Sequence, residues 1–223
     1  MPTTTFFRLD QEKQDKIIQA AKKEFTEAPI NEASIAKIIK EADIPRGSFY
    51  QYFSGKEDLF YYLFDRVRKG PEDYLFECLE SEKGDLLEAF KKFFDYFVKE
   101  VFEGEETLFF KNIFLHMTYH NSSRALLNEL SEKEQEARKN HIENHRKGSK
   151  EAFQRIYQMV NHELLKTTSE REFKMLFRQL CTMISNTINE GYRIKKCDKK
   201  FSVEQLIQDF NLKIDWLKNG VAN

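Results

Sequence analysis

The chain contains few of the residues on which many catalytic and secreted proteins depend. Its eight glycines are so dispersed that the closest two, Gly47 and Gly55, are eight positions apart. This excludes the glycine-rich phosphate loops and the G-x-S-x-G nucleophile elbow. The three cysteines, Cys78, Cys181 and Cys197, are an odd number at wide spacing, which fits neither a disulfide framework nor a zinc knuckle. We therefore expect reduced thiols and no enzyme of the common nucleotide-binding or hydrolase classes.

Long apolar runs are also absent, and the amino terminus lacks the hydrophobic segment of a secretory signal. We therefore expect a cytoplasmic protein with no membrane partner. Because 36 Lys and Arg nearly balance 37 Asp and Glu, any nucleic-acid surface must be a local patch rather than a general polycation. There are only four prolines, and apolar residues recur every three or four positions, which predicts an all-α protein.

Three short helices are predicted near the amino terminus, after a polar arm. Asp10 is predicted to cap a first helix that ends near Glu27, and Ser34 to cap a second. The residues 43–45 (Asp-Ile-Pro) predict a tight turn that leads into a third helix, since proline suits a first helical turn. That helix is expected to stop at Ser54-Gly55.

A fourth helix is predicted to start at a capping box from Ser54 to Glu57 and to be interrupted at Gly70-Pro71. Longer helices follow that point. We accordingly expect an N-terminal three-helix domain, residues 1–56, and a larger C-terminal helical domain, residues 57–223.

Amphipathic stretches predict the helices of the C-terminal domain. They lie at 85–101, at 105–120, from Ser122 or Ser123 through 130, at 153–164, from Ser169 through 188, and from Ser202 to Gly220. The charged stretch 131–151 nearly lacks an apolar stripe and is predicted to be solvated helix or loop.

The second and third helices, with the turn between them, have the dimensions of a DNA-binding helix-turn-helix. Ile38, Ile44 and Phe49 would hold the pair together. A helix of about eight residues is about 12 Å long, which is comparable to the width of the major groove. Arg46 and Gln51 are the strongest predicted base readers, because arginine can form two hydrogen bonds to guanine and glutamine two to adenine. The predicted DNA-binding residues are Ser34, Lys37, Arg46, Gly47, Ser48, Tyr50, Gln51, Tyr52 and Lys56.

The run from Ile38 to Leu59 resembles the DNA-binding signature of the TetR family of transcriptional regulators, and the resemblance extends over about residues 10–65. The residues at the family's spacing are Ile38, Ala42, Ile44, Gly47, Ser48, Tyr50, Tyr52, Phe53, Lys56, Glu57 and Leu59. Ile39, Asp43 and Pro45 depart from it, standing where the family usually has alanine, the turn glycine, and serine or threonine. Aspartate tolerates the left-handed conformation that such a turn needs, so the fold is still expected.

This resemblance implies a homodimer that binds a palindromic operator, and a C-terminal domain whose small-molecule effector releases repression. By order alone, it places the dimer interface on the helices predicted at 153–164 and from Ser169. A helical sensor or binding protein that has lost DNA recognition is the alternative function. An enzyme is a third and weaker option, since no nucleophile and base stand at recognisable spacing.

The chain has 21 phenylalanines, concentrated in helices expected to wall a pocket, which favours an apolar or aromatic effector. The predicted effector-binding residues are Phe94, Phe97, Phe110, Phe114, Met117, Tyr119, His116 and His120. The two histidines of this set are four positions apart on one helix face, so a haem or a metal ion stays an alternative ligand, although we expect no cofactor. A second such pair, His141 and His145, lies among positive charges and is interpreted as a solvated face.

Overall fold

A computed structural model describes residues 2–122, 150–197 and 201–220, with the side chains of 115–122 outside that description. The described residues form helices and connecting turns, with no strand among them, which confirms the predicted all-α class. They divide into two compact units. The first unit contains residues 2–69 and, from residue 108 onward, the helix that begins at residue 107. The second unit contains residues 70–107, 151–197 and 201–220.

The first unit is built from six helices or parts of helices, and side-chain caps begin two of them. Its helices are α1 (Thr4–Phe7), α2 (Gln11–Glu27), α3 (Ile35–Glu41), α4 (Arg46–Tyr52), the first part of α5 (Lys56–Ser81), and α7 (Thr107–Ser122). Asp10 caps α2 by accepting a hydrogen bond from the Lys13 N–H, and Ser34 caps α3 in the same way. Both predicted caps are therefore confirmed.

α5 corrects two details of the sequence analysis. The helix does not stop at Gly70-Pro71 but continues over 26 residues to Ser81. An internal proline removes one backbone hydrogen bond, and burial of apolar side chains such as Leu75 and Leu79 beyond it favours continuation. The second detail is the predicted capping box from Ser54 to Glu57. In the structure, the Ser54 N–H donates to the Asp58 carboxylate at 3.1 Å, because α5 begins at Lys56 and Asp58 is its third residue.

Aromatic side chains fill the core of the first unit. Phe6, Phe25, Phe49 and Phe53 are essentially buried, together with Ile17, Ile38 and Leu59. α7 contributes Phe109 and Ile113 to the same core.

The second unit contains longer helices. They are the rest of α5, α6 (Leu86–Glu103), α8 (helical residues 150–159), α9 (Glu170–Cys197) and α10 (Val203–Asn219), with a 3₁₀ turn at His162–Leu164. α8 ends before the predicted 164 because the chain turns there, and α9 runs further than predicted. Asp85 and Ser202 cap α6 and α10.

Close helix packing defines the core of this unit. Phe94 is buried and stacks on Phe210 with ring centroids 4.0 Å apart. A Cβ atom on the buried Gly191 would lie 2.6 Å from Leu206 and 2.7 Å from Phe102, so α9 approaches α6 and α10 closely because this residue has no side chain.

None of the helices in the described ranges combines the length and apolar character needed to cross a bilayer. The predicted helix through 130, the charged stretch as far as 149 and the pair His141 and His145 lie outside the described residues.

Candidate DNA-binding surface

The turn between α3 and α4 adopts the conformation that its sequence allows. Asp43 has a φ of +53°, in the left-handed region that aspartate tolerates better than most residues. The Ile44 N–H donates to the Ile39 carbonyl at 3.1 Å, which closes the turn. Pro45 stands one position before the first helical residue of α4, and its φ is −62°. Two of the three departures from the family pattern thus fit the helix-turn-helix geometry.

α4 presents a polar face to solvent and an aromatic face to the core. Arg46, Gly47, Tyr50 and Gln51 are exposed, whereas Phe49 is fully buried. At about 100° per residue, these four exposed positions fall within one side of the helix. The structure therefore brings together both predicted base readers and two of their predicted neighbours on one surface.

Ser48 and Tyr52 belong to the other side of α4. Both are half-buried, and the Tyr52 ring packs edge-on against Phe6 with centroids 6.3 Å apart. Of the two tyrosines predicted to contact DNA, Tyr50 is exposed, whereas the amino-terminal segment covers part of the Tyr52 ring.

Lys56 has a structural role that the sequence pattern does not reveal. Its half-buried ammonium group donates to the carbonyls of Asn31 at 2.9 Å and Ala33 at 3.2 Å. These bonds tie the start of α5 to the loop before α3. An ammonium group has three donors, so one of them remains for the phosphate contact that we predict.

Ser34 and Lys37, at the start of α3, are held by a buried carboxylate. Glu24 is only 4% exposed; one of its oxygens accepts from the Ser34 N–H at 2.8 Å and the other pairs with the Lys37 ammonium at 3.4 Å. Glu24 is not among the site residues predicted from the sequence. Its burial could have been predicted from the sequence, because Glu24 is an acidic residue on the apolar stripe that Ile17 and Ala21 define.

A groove of about 250 Å³ runs beside this ion pair. Its lining consists of Ala20, Lys23, Glu24, Glu27, Lys37, Lys40 and Glu41. Lysines and glutamates balance there, and Lys23 pairs with Glu41 at 2.8 Å. The groove therefore lacks the apolar lining that the predicted effector pocket requires.

The predicted effector-binding residues fall into both units. Phe94 is a buried core residue of the second unit, and Phe97, half-buried, stacks on Phe93 with centroids 5.3 Å apart. Phe110, buried, and Phe114, half-buried, belong to the first unit. His116, Met117, Tyr119 and His120 lie on α7, where side chains are outside the description. No group of three metal-ligating side chains is found within the described ranges.

Family comparisons agree with this geometry. Residues 17–63 match the model described as bacterial regulatory proteins, tetR family, and residues 85–221 match the model described as tetracyclin repressor-like, C-terminal domain. The chain has no counterpart of significant sequence similarity among curated proteins.

Solved structures share the fold. A "putative fatty acid metabolism regulator" of Clostridium perfringens is 21% identical with a TM-score of 0.57, over 93% of this chain and 99% of that chain. The fatty acid degradation regulator FadR of Bacillus halodurans is 20% identical with a TM-score of 0.50, over 93% of this chain and 99% of that chain. With a helix-turn-helix at one end and the family's C-terminal domain over most of the remainder, the chain belongs to the TetR family of transcriptional regulators.

Proposed function

We propose that this regulator is a homodimeric repressor that binds a palindromic operator through α4 and is released by an apolar effector. The observation that carries the proposal is the exposed face of α4, where Arg46, Gly47, Tyr50 and Gln51 stand on one side of a helix anchored by the buried Phe49. Arginine and glutamine at such positions supply the paired donors and acceptors that base edges recognise.

Operator binding is tested by selecting duplexes from a random library and titrating the selected sequence at several salt concentrations. A DNA reader loses affinity as salt rises, because phosphate contacts release counterions. Arg46→Ala should cost about 1 to 3 kcal/mol of specific binding and relax the preference at one base pair of each half-site. Failure to enrich any sequence would contradict the proposal.

The dimer proposal is supported by apolar side chains that the second unit leaves in solvent. Met175 and Ile194 on α9, and Leu212, Trp216 and Leu217 on α10, are exposed. Apolar side chains gathered on one pair of helices are typical of an interface that a second copy covers. We therefore place the dimer interface on α9 and α10. In the predicted helix at 153–164, which the family order also suggested, Leu164 is the exposed large hydrophobic residue, and it lies in the 3₁₀ turn after α8.

The effector proposal rests on aromatic content and on the structural relatives. The second unit contains stacked phenylalanine pairs such as Phe94 with Phe210 and Phe93 with Phe97. Two relatives of the same fold are named as regulators of fatty acid metabolism or degradation. Fatty acids are accordingly the first compounds to test.

Fatty acids of increasing chain length should be titrated into the protein–operator complex, with fluorescence anisotropy of the labelled duplex as the readout. Release that grows with chain length, while short-chain acids of the same charge have no effect, would support an apolar effector. If release is independent of chain length, the apolar effector is wrong and the repressor proposal stands on the operator titration alone.

A further inference from the structure

The end of the recognition helix α4 has an unusual partner. α4 contains seven residues and ends at Tyr52, followed by Phe53 in an extended conformation. The last carbonyls of a helix lack partners within it, and so short a helix is marginal by itself. The Phe49 carbonyl accepts from the Phe53 N–H at 2.9 Å. The carbonyls of Gln51 and Tyr52 are satisfied from outside the helix.

Thr3 supplies both of those hydrogen bonds. Its hydroxyl donates to the Gln51 carbonyl at 2.6 Å, and its N–H donates to the Tyr52 carbonyl at 2.9 Å. One residue at the amino terminus thus completes the last turn of a helix 48 positions away.

The position of Thr3 makes this arrangement informative. Thr3 stands at the N-cap of α1, where a threonine hydroxyl ordinarily accepts a hydrogen bond from its own helix. It makes no such capping bond here. The hydroxyl is directed to α4 instead, so the threonine serves the neighbouring helix.

Phe6 anchors the same segment. Its side chain is fully buried, with ring centroids 4.9 Å from Phe53 and 5.7 Å from Tyr62. Pro2 is buried as well. A buried phenylalanine has well-defined rotamers and a large apolar surface, which hold the four-residue α1 in one place against α4 and α5.

We propose that the amino-terminal segment, residues 2–7, is the C-terminal cap of the recognition helix and positions Gln51 for DNA reading. This proposal rests on the proposed operator binding. Thr3 is a positioning residue, since it contacts the backbone of the predicted base reader and fixes the end of the helix that carries it. A polar arm in the sequence is therefore part of the DNA-binding machinery.

The test uses Thr3→Val, which removes the hydroxyl but keeps the branched shape, and Thr3→Ser, which restores it. Thr5→Val is the matched control, because Thr5 is an exposed threonine of the same short helix. Amide hydrogen exchange of residues 51–53 is measured in the free full-length protein, and affinity is measured on the duplex selected by the unaltered protein. Thr3→Val should speed exchange of these amides about fivefold and weaken operator binding about fivefold, as expected for one lost hydrogen bond. Thr3→Ser and Thr5→Val should stay within about twofold of the unaltered protein.

The outcomes separate the two proposals. Unchanged exchange in Thr3→Val would overturn the cap, and faster exchange with unchanged affinity would overturn the positioning role. If the unaltered protein selects no duplex, the proposed operator binding fails, and the exchange measurement still decides whether Thr3 caps α4.

Discussion

Replacing Gly47 by alanine should stabilise the protein and impair DNA binding at the same time. Gly47 is the second residue of α4 and does not have a positive φ. A Cβ atom built at this position meets no other atom within 4 Å, so the added methyl group projects into open space. The protein itself therefore gives no packing reason for a glycine in this helix.

The magnitude follows from helix propensity. Alanine in place of glycine within a helix gains about 0.5 to 1 kcal/mol, chiefly because glycine loses more backbone freedom on folding. For a chain of this length, that gain corresponds to an increase in Tm of about 1 to 4 °C. In the complex with DNA, the methyl group of an alanine at position 47 would project from the exposed face of α4 and hold the helix backbone away from the major groove. We expect at least a roughly tenfold loss of specific affinity, or about 1.4 kcal/mol.

Differential scanning fluorimetry gives the stability change, and anisotropy with the selected duplex gives the affinity. A duplex of unrelated sequence is the control, since non-specific binding depends on phosphate contacts and should change less. An increased Tm with unchanged specific affinity would refute the close approach of Gly47 to DNA. A lower Tm for Gly47→Ala would contradict the finding that a Cβ atom at this position meets no other atom.

Three further predictions concern packing, assembly and pH. Gly191→Ala should lower the free energy of unfolding by about 1 to 3 kcal/mol, measured by urea titration, because its methyl group has no room beside α6 and α10; an unchanged midpoint would contradict this packing. Trp216→Glu should convert the proposed dimer to a monomer in light scattering, whereas Leu164→Glu, also at an exposed apolar side chain but outside α9 and α10, should leave it dimeric; equal behaviour of the two variants would argue against the interface. Hydrogen bonds from the Lys13 backbone N–H and, to a smaller extent, from the Lys13 ammonium group hold the pKa of Asp10 below its ordinary value of 3.8. The contribution of the Asp10 carboxylate to stability is therefore complete above pH 3.8 and is lost as the pH falls through the lowered pKa. Asp10→Asn keeps a capping oxygen without titrating, and acid unfolding curves should show a flatter pH dependence for it; a curve as steep as that of the unaltered protein would assign the dependence to other groups.

Local signals in the sequence were sufficient for most of the first unit. Caps such as Asp10 and Ser34 act on amides within the same turn, so they can be recognised from spacing alone. The exposed face of α4 follows from helical periodicity in the same way. The fold class and the exposure of Arg46 and Gln51 could therefore be predicted without a structure.

Contacts between distant parts of the chain could not be predicted in this way. The hydrogen bonds of Lys56 to Asn31 and Ala33 depend on how a loop returns past the start of α5. The continuation of α5 through Pro71 depends on burial of side chains further along the chain, which outweighs the local preference of proline. Tertiary packing decides such cases, and one sequence shows only its local part.

Because α7 belongs to the first unit, the DNA-binding unit is assembled from two separate stretches of the sequence. The Asn112 side-chain amide donates to the carbonyls of Phe25 at 2.8 Å and Thr26 at 2.9 Å, at the end of α2. Phe109 and Ile113 belong to the same core. A fragment that ends at residue 69 would expose that core and leave the end of α2 without these bonds. Conversely, α7 also carries Phe110 and Phe114, so an effector that contacts these residues would act on the DNA-binding unit from within it.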